Sequence, residues 1–473
     1  MKYADYQRQD AAENVKNAYA DAQRLQKALN AVVTFVDVEA QLEHLRDVDE
    51  NAPLYGIPIV LKDNVSTKGI RTTASSRILD NYVPVYDATI VKKLREAGAI
   101  CIAKASMDEL GMGGTNLNAY TGKVNNPYDL ERISGGSSGG SAVLVAAGVV
   151  PMAIGTDTGD SVRKPAAYCG VVGVKPTYGR ISRYGIIPYA SSLDHVGYFT
   201  TNVEDACTML EVLAGRDDRD MTSSLRPVEA YRDHLNSDLR GKLIGVLENV
   251  QEVIRDQAVR DNVEALCEKL AARGAQIRRV RMPQELMETI LPVYLTIANA
   301  EATANHSNLD GIRFGMREDG ESVEEVMKNS RTKGFSAYVR KRFIIGSYSL
   351  FVENQDKLFR KAQKIRRLLV DHYRALFAEC DCILASAAPT VAPLEDEASD
   401  EALGKEHLVA DNHMQLGNFS GYPSMTLPSG FVDGLPIGVN ITCRPFEEQM
   451  MFDIAKAIEE ETGLADHTVE VKA

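Results

Sequence analysis

Apolar positions in the first thirty residues recur at helical spacing, with Val15, Tyr19, Ala22, Leu25 and Leu29 on one face, so the chain opens on an amphipathic helix. The pattern then changes. Ala31 to Val38 is rich in valine and phenylalanine and reads as a strand. Ile57 to Leu61 is a short apolar run behind Gly56, the signature of a buried strand, and it ends at a charged residue, Lys62. Thr89 to Ala97 has helical spacing, and Ala99 to Ala103 reads as the next strand. A helix over Ala142 to Ala147 and a strand over Pro151 to Ile154 continue the alternation. This order predicts an α/β fold, with a central mixed β-sheet covered by helices on both faces.

From about 203 to 380 the pattern is mostly helical, with long charged amphipathic stretches at 253–273 and 352–378. Residues 394–406 are acidic and poor in apolar side chains, which predicts an exposed loop. Thr426 to Pro428, Ile437 to Ile441 and a final helix over 446–462 return to α/β character, and no internal repeat is visible. The expectation is one domain over residues 1–473. Residues 1–55 form its N-terminal helical segment, and the helical middle elaborates a single catalytic body.

Composition narrows the function classes. A chain of 473 residues that is 44% hydrophobic can bury a large core. Its formal net charge of −13 disfavours non-specific binding to nucleic acid or to an anionic membrane. The basic stretch Arg360 to Arg367 is read as a solvated helix face, because Phe359, Ala362, Ile365 and Leu369 suit a buried opposite side. Seven scattered cysteines include no Cys-x-x-Cys pair, which suits reduced core thiols. The polar start lacks an apolar signal core, and the longest apolar run, Ala142 to Ile154, is too short to span a bilayer. A soluble, cytoplasmic protein with no metal site is expected.

Two glycine–serine loops carry the candidate chemistry: Gly135 to Ser141, and Gly155 to Ser161. A glycine-rich loop that opens a helix leaves backbone N–H groups free for an anion. Neither a phosphate-loop motif nor a dinucleotide fingerprint occurs. Gly136-Ser137-Ser138-Gly139-Gly140 fits the Gly-x-Ser-x-Gly nucleophile elbow, but the polar, proline-containing segment before it is no strand, so Ser138 is rejected as an elbow nucleophile. A serine nucleophile needs a proton acceptor. His195 is the histidine nearest the loops in sequence and is read as structural. Lysine serves as a base only when burial or nearby positive charge keeps it neutral, and Lys62, at the end of an apolar run, is placed for that.

Gly135 to Ser141, Asp157 to Ser161 followed by Arg163 and Pro165-Ala166-Ala167, and Gly173-Val174-Lys175-Pro176-Thr177 occur in the order and spacing of a known signature. On these blocks the chain resembles the amidase signature family. The resemblance implies that Ser161 is the nucleophile, Ser137 a bridging serine behind a cis peptide bond and Lys62 the base. Backbone N–H groups at Thr158, Gly159 and Asp160 would hold the oxyanion.

Lys175 to Gly185, Leu213 to Asp217, Leu309 to Gly315 and Gly434 to Gly438 extend the likeness to the glutaminase subunits of tRNA-dependent amidotransferases. That resemblance implies glutamine as substrate, with Arg342 for its carboxylate, Asp411 for its ammonium and Tyr294 lining the pocket. It also implies partner subunits B and C, with charged tRNA, ATP and Mg held by a partner and no cofactor in this chain. Two other readings stand beside it: a free-standing amidase acting on another small amide, and a catalytically silent scaffold.

The scaffold reading is motivated by one departure from the family. Asp160 stands where the family usually has glycine, directly before the nucleophile, and Lys164 replaces a common glutamine. A carboxylate beside a developing oxyanion is unfavourable unless it is turned away or neutralised. Asp160 is therefore expected to pair with Arg163 or Lys164.

Overall fold

A computed structural model describes Tyr6 and residues 10–398 and 404–471. The opening helix, α1 (Ala11–Leu29), is capped by Asp10, whose carboxylate accepts from the backbone N–H of Ala12 at 2.8 Å. It is followed by β1 (Val32–Phe35). The strand expected to reach Val38 stops sooner, because Asp37 caps a short helix, α2 (Val38–His44). Then come β2 (Pro58–Lys62), α3 (Thr89–Glu96), β3 (Ile100–Ala105), α4 (Gly139–Ala146) and β4 (Met152–Asp157). Next in order are α5 (Arg163–Cys169), β5 (Val172–Lys175), β6 (His195–Thr200) and α6 (Val203–Leu213).

The stretch expected to be mostly helical contains two strands, β7 (Leu243–Leu247) and β8 (Gln276–Val280), on either side of α7 (Gln257–Ala272). Both were missed for a physical reason. β7 is brief, and β8 is an edge strand whose Gln276-Ile277-Arg278-Arg279 faces solvent on most sides and shows no apolar alternation. Helices α8 (Ile290–Asn305), α9 (Ala337–Leu350) and α10 (Phe359–Leu376) follow. The chain then returns to the sheet through β9 (Cys382–Ser386), α11 (Gln415–Ser420), β10 (Ser424–Val432), β11 (Leu435–Cys443) and α12 (Glu448–Thr462).

Among the described residues, eleven strands form one mixed sheet in the order β1-β3-β2-β4-β6-β5-β10-β11-β9-β7-β8. β2 runs parallel to β3 and β4, and β7 parallel to β8 and β9; the remaining pairings are antiparallel. Both faces of the central strands are buried, which explains their continuous apolar runs. In β2, Ile59 and Leu61 join the core under α3, α6 and α12, whereas Val60 joins the core of α1, α4 and α5. Period-two alternation therefore sends Lys62 to the Val60 face, toward the glycine–serine loop that opens α4.

Residues 399–403 of the expected acidic loop lie outside the described residues. Its flanks are less loop-like than expected. Leu394 pairs with Arg132, Glu395 pairs with Lys123, and Glu406–Ala410 forms a wide helical turn. In α10 the basic stretch lies on a helix whose buried side carries Ala362, Leu369 and Tyr373, as the pattern implied. All seven cysteines are buried and free. Among the described residues, no helix is long and apolar enough to cross a membrane.

Candidate active site

Lys62 is fully buried at the end of β2, and three oxygen acceptors surround its ammonium: Ser138 Oγ at 2.7 Å, Ser137 Oγ at 2.8 Å and the Thr156 carbonyl at 3.2 Å. The hydroxyl of Ser138 itself donates to the Thr156 carbonyl at 3.0 Å, so its remaining role toward Lys62 is as an acceptor. A neutral amine has two N–H groups and one lone pair. With Thr156 O and Ser138 Oγ taking the two N–H groups, the lone pair faces Ser137 Oγ. Burial pulls the Lys62 pKa down to about 7, against the opposing pull of Asp108, Asp157 and Asp194. The amine is thus poised to gain or lose a proton near neutrality.

The peptide bond Gly136–Ser137 is cis. Its loop packs on Asp108, since a Cβ at Gly136 would lie 1.9 Å from Asp108 Oδ2. The Asp108 backbone N–H also donates to Ser137 O at 3.2 Å. The second serine loop follows β4 and is tied to the first, because the Ser138 N–H donates to Ser161 O at 3.1 Å. Among the described residues, the Ser137 and Ser161 hydroxyls make no hydrogen bond to each other, and the backbone N–H groups of residues 158–161 find no protein acceptor. Those N–H groups remain available to an anion.

Asp157 holds this second loop in shape. Its carboxylate accepts from Arg163 Nη2 at 2.9 Å, Arg163 Nε at 3.1 Å, the Val162 N–H at 3.0 Å and Asn418 Nδ2 at 2.9 Å. The Arg163 guanidinium holds the Asp157 carboxyl well below the usual carboxylate range despite complete burial. Thr158 Oγ1 donates to Asp194 at 2.7 Å, pinning the start of the loop.

A cavity of about 100 Å³ adjoins the second loop, lined among others by Asp160, Lys164, Tyr294, Arg342, His407 and Asp411. The three residues expected to bind substrate are therefore brought together. Tyr294, from α8, lies against the loop, because a Cβ at Gly159 would sit 2.9 Å from its ring. Arg342, from α9, stacks over the Tyr338 ring at 4.6 Å and reaches Tyr189 Oη at 3.3 Å. Asp411 is ion-paired with Lys164 and lies 2.9 Å from His407 Nδ1, and these two partners keep its carboxyl well below the ordinary range.

Asp160 pairs with Lys164 at 3.5 Å, as one of its two expected partners, while Arg163 is committed to Asp157. His195 is buried, with Nδ1 at 2.7 Å from Leu193 O, and among the described residues it hydrogen-bonds to neither serine. Sequence reasoning missed Asp108, Asn418 and His407. Asp108 and Asn418 reach the site through long-range contacts and carry no local signal. His407 stands four residues before Asp411, a helical spacing that marks the pair.

A buried lysine beside two glycine–serine loops, one with a cis bond, on a mixed α/β sheet defines the amidase class. The sequence profile of the Amidase family matches residues 13–452, and the chain belongs to that family. A glutamyl-tRNA(Gln) amidotransferase subunit from Koribacter versatilis is 40% identical over 457 residues, covering 96% of this chain and 93% of that protein. The protein of the same name from Pseudomonas aeruginosa strain LESB58 is 40% identical over 451 residues, covering 94% and 92%. Among solved structures, a glutamyl-tRNA(Gln) amidotransferase subunit from Thermotoga maritima matches with a TM-score of 0.83 and 34% identity, covering 100% of this chain and 98% of that one. A peptide amidase from Stenotrophomonas maltophilia matches with a TM-score of 0.81 and 27% identity, covering 96% and 94%.

Proposed function

We propose that the chain is the glutamine-hydrolysing subunit of a tRNA-dependent amidotransferase. The observation that carries this reading is the neutral-poised Lys62 beside Ser137, next to a cavity that offers Arg342 and Asp411 to a zwitterion. Full-length similarity to proteins named as subunits of glutamyl-tRNA(Gln) amidotransferase favours it over a free-standing amidase. The motive for a silent scaffold is weakened, because Asp160 shares the Lys164 ammonium with Asp411 and is not left without a cation.

In this mechanism Lys62 Nζ accepts the proton of Ser137 Oγ while Ser137 accepts that of Ser161 Oγ. Ser161 Oγ attacks the side-chain amide carbon of glutamine. The free N–H groups of residues 158–161 hold the oxyanion; each such donor typically contributes about 10²–10³ in rate. The proton returns through Ser137 to the departing nitrogen, the C–N bond breaks and ammonia leaves. Water then attacks the Ser161 ester by the same relay and releases glutamate. Arg342 binds the α-carboxylate and Asp411 the α-ammonium.

Ammonia is consumed by a partner, and in this reading subunits B and C complete the enzyme, with ATP, Mg and charged tRNA on the partner side. The test is ammonia release from glutamine by the assembled complex, beside a Ser161→Ala control. Activity that depends on Ser161 and on glutamine supports the reading. Equal rates in both samples refute it.

A further inference from the structure

Lys164 stands between two carboxylates. Its ammonium donates to Asp411 Oδ1 and to the Asp411 carbonyl, and it lies 3.5 Å from Asp160 Oδ2. The other Asp411 oxygen is 2.9 Å from His407 Nδ1. Both oxygens of the carboxylate assigned to a substrate ammonium are therefore already engaged. The lysine side chain is only 6% exposed, so bulk water does little to screen the cluster.

Two carboxylates share one lysine ammonium, and the sharing is unequal. Asp411 takes the close contacts and is held strongly acidic, while Asp160 is left with the longer one. Burial raises the Asp160 pKa to about 6; Asp157 and Asp411 add to the rise, and Lys164 opposes it. Asp160 is thus the under-compensated member, one residue from the nucleophile. A largely buried carboxylate in that state favours any rearrangement that brings it a cation.

The geometry points to Asp160 and Lys164 as a movable counter-ion pair that determines selectivity for a substrate bearing an α-ammonium. When that ammonium arrives at Asp411, the Lys164 ammonium shifts onto Asp160, and each carboxylate then has its own cation. The displacement is small, since closing 3.5 Å to an ordinary charge-assisted hydrogen bond of about 2.8 Å takes less than about 1 Å. Lys164 lies four residues after Asp160, and its backbone N–H donates to Asp160 O at 2.8 Å, so the two side chains leave from adjacent turns and need no backbone change.

The shift has a second effect. An amide without the ammonium leaves Lys164 on Asp411 and Asp160 with only its longer contact to that cation, beside the oxyanion loop. Such a substrate loses binding and also loses rate in the chemical step. Asp160 and Lys164 act here as positioning and selectivity residues, with the Ser161 chemistry unchanged.

This inference rests on glutamine being the substrate. The experiment compares glutamine with its des-amino analogue, 5-amino-5-oxopentanoic acid, in the assembled complex. The wild type is expected to prefer glutamine in kcat/KM by about 10³-fold or more. Asp160→Asn is expected to raise KM for glutamine about tenfold, a larger effect than any on kcat, because Lys164 has nowhere else to go. Lys164→Gln is expected to lower kcat about tenfold with a smaller change in KM, because Asp160 then stands unpaired. The double variant Asp160→Asn with Lys164→Gln is expected to return to within about threefold of wild type.

Recovery in the double variant separates the pair from a merely structural role, in which losses accumulate. If Asp160→Asn does not fold, Asp160→Gly, alone and with Lys164→Gln, gives the same comparison. Additive losses, or a wild type equally active on both amides, overturn the pair while leaving the glutaminase reading in place. A wild-type complex that hydrolyses neither amide overturns the reading on which the pair depends.

Discussion

Lys62 links its surroundings to a measurable pH dependence. As the proposed base it must be neutral to accept a proton from Ser137, and burial places its pKa at about 7. Below that pH the amine is charged and idle; above it the base is free. Glutaminase kcat/KM is therefore expected to rise with pH through about 7 and then level, and a flat profile from pH 6 to 9 would contradict the assignment. Replacing Ser161 with alanine is expected to lower kcat by about 10⁴-fold or more, and Lys62→Met by a comparable factor, in steady-state ammonia release. Asp157 gives a stability counterpart, since both members of its pair with Arg163 are fully buried. Asp157→Asn leaves a buried guanidinium without its counter-ion. A loss of about 3–5 kcal/mol in urea unfolding is expected.

At the scale of elements, the site depends on close backbone approach between α4 and the strands beneath it. Every residue of α4 is buried, and a Cβ at Gly140 would stand 2.5 Å from Ser106 O and 2.7 Å from Ala31 O. Both obstacles are backbone carbonyls that cannot rotate aside. Gly140→Ala is therefore expected to cost about 3 kcal/mol, at the upper end of overpacking penalties, and to displace Ser137. The checks are a lowered unfolding midpoint and a fall in kcat larger than the change in KM. The Asp157 loop shows the complementary device: Arg163 on α5 and Asn418 on α11, 255 positions apart in the chain, clamp one carboxylate.

The whole molecule is one sheet with strands drawn from Val32 to Cys443, so distant segments share cores. All seven cysteines lie inside those cores. Native protein is expected to react with no thiol reagent on the minutes scale and with seven equivalents in denaturant; rapid native labelling would show the packing to be looser. A net charge of −13 bears on the division of labour. The chain alone is expected to retain no tRNA in filter binding at physiological salt, and retention is expected only with its companion subunits.

Much of this was legible in local pattern. The apolar run Ile57–Leu61 announced a buried strand with Lys62 at its end, and the glycine–serine loops announced free backbone donors. These signals are local because strand alternation and glycine-rich turns depend on neighbouring residues alone. The strands β7 and β8 were not legible, since the edge strand's polar side chains erase the period that would mark it. Sequence also identified Asp160 as anomalous and named its two possible partners. Only the tertiary structure decided between them, committing Arg163 to Asp157 and placing Lys164 between Asp160 and Asp411. Ion pairing among buried groups is settled by distance and exclusion of water, and both exist only once residues some 250 positions apart have been folded against each other.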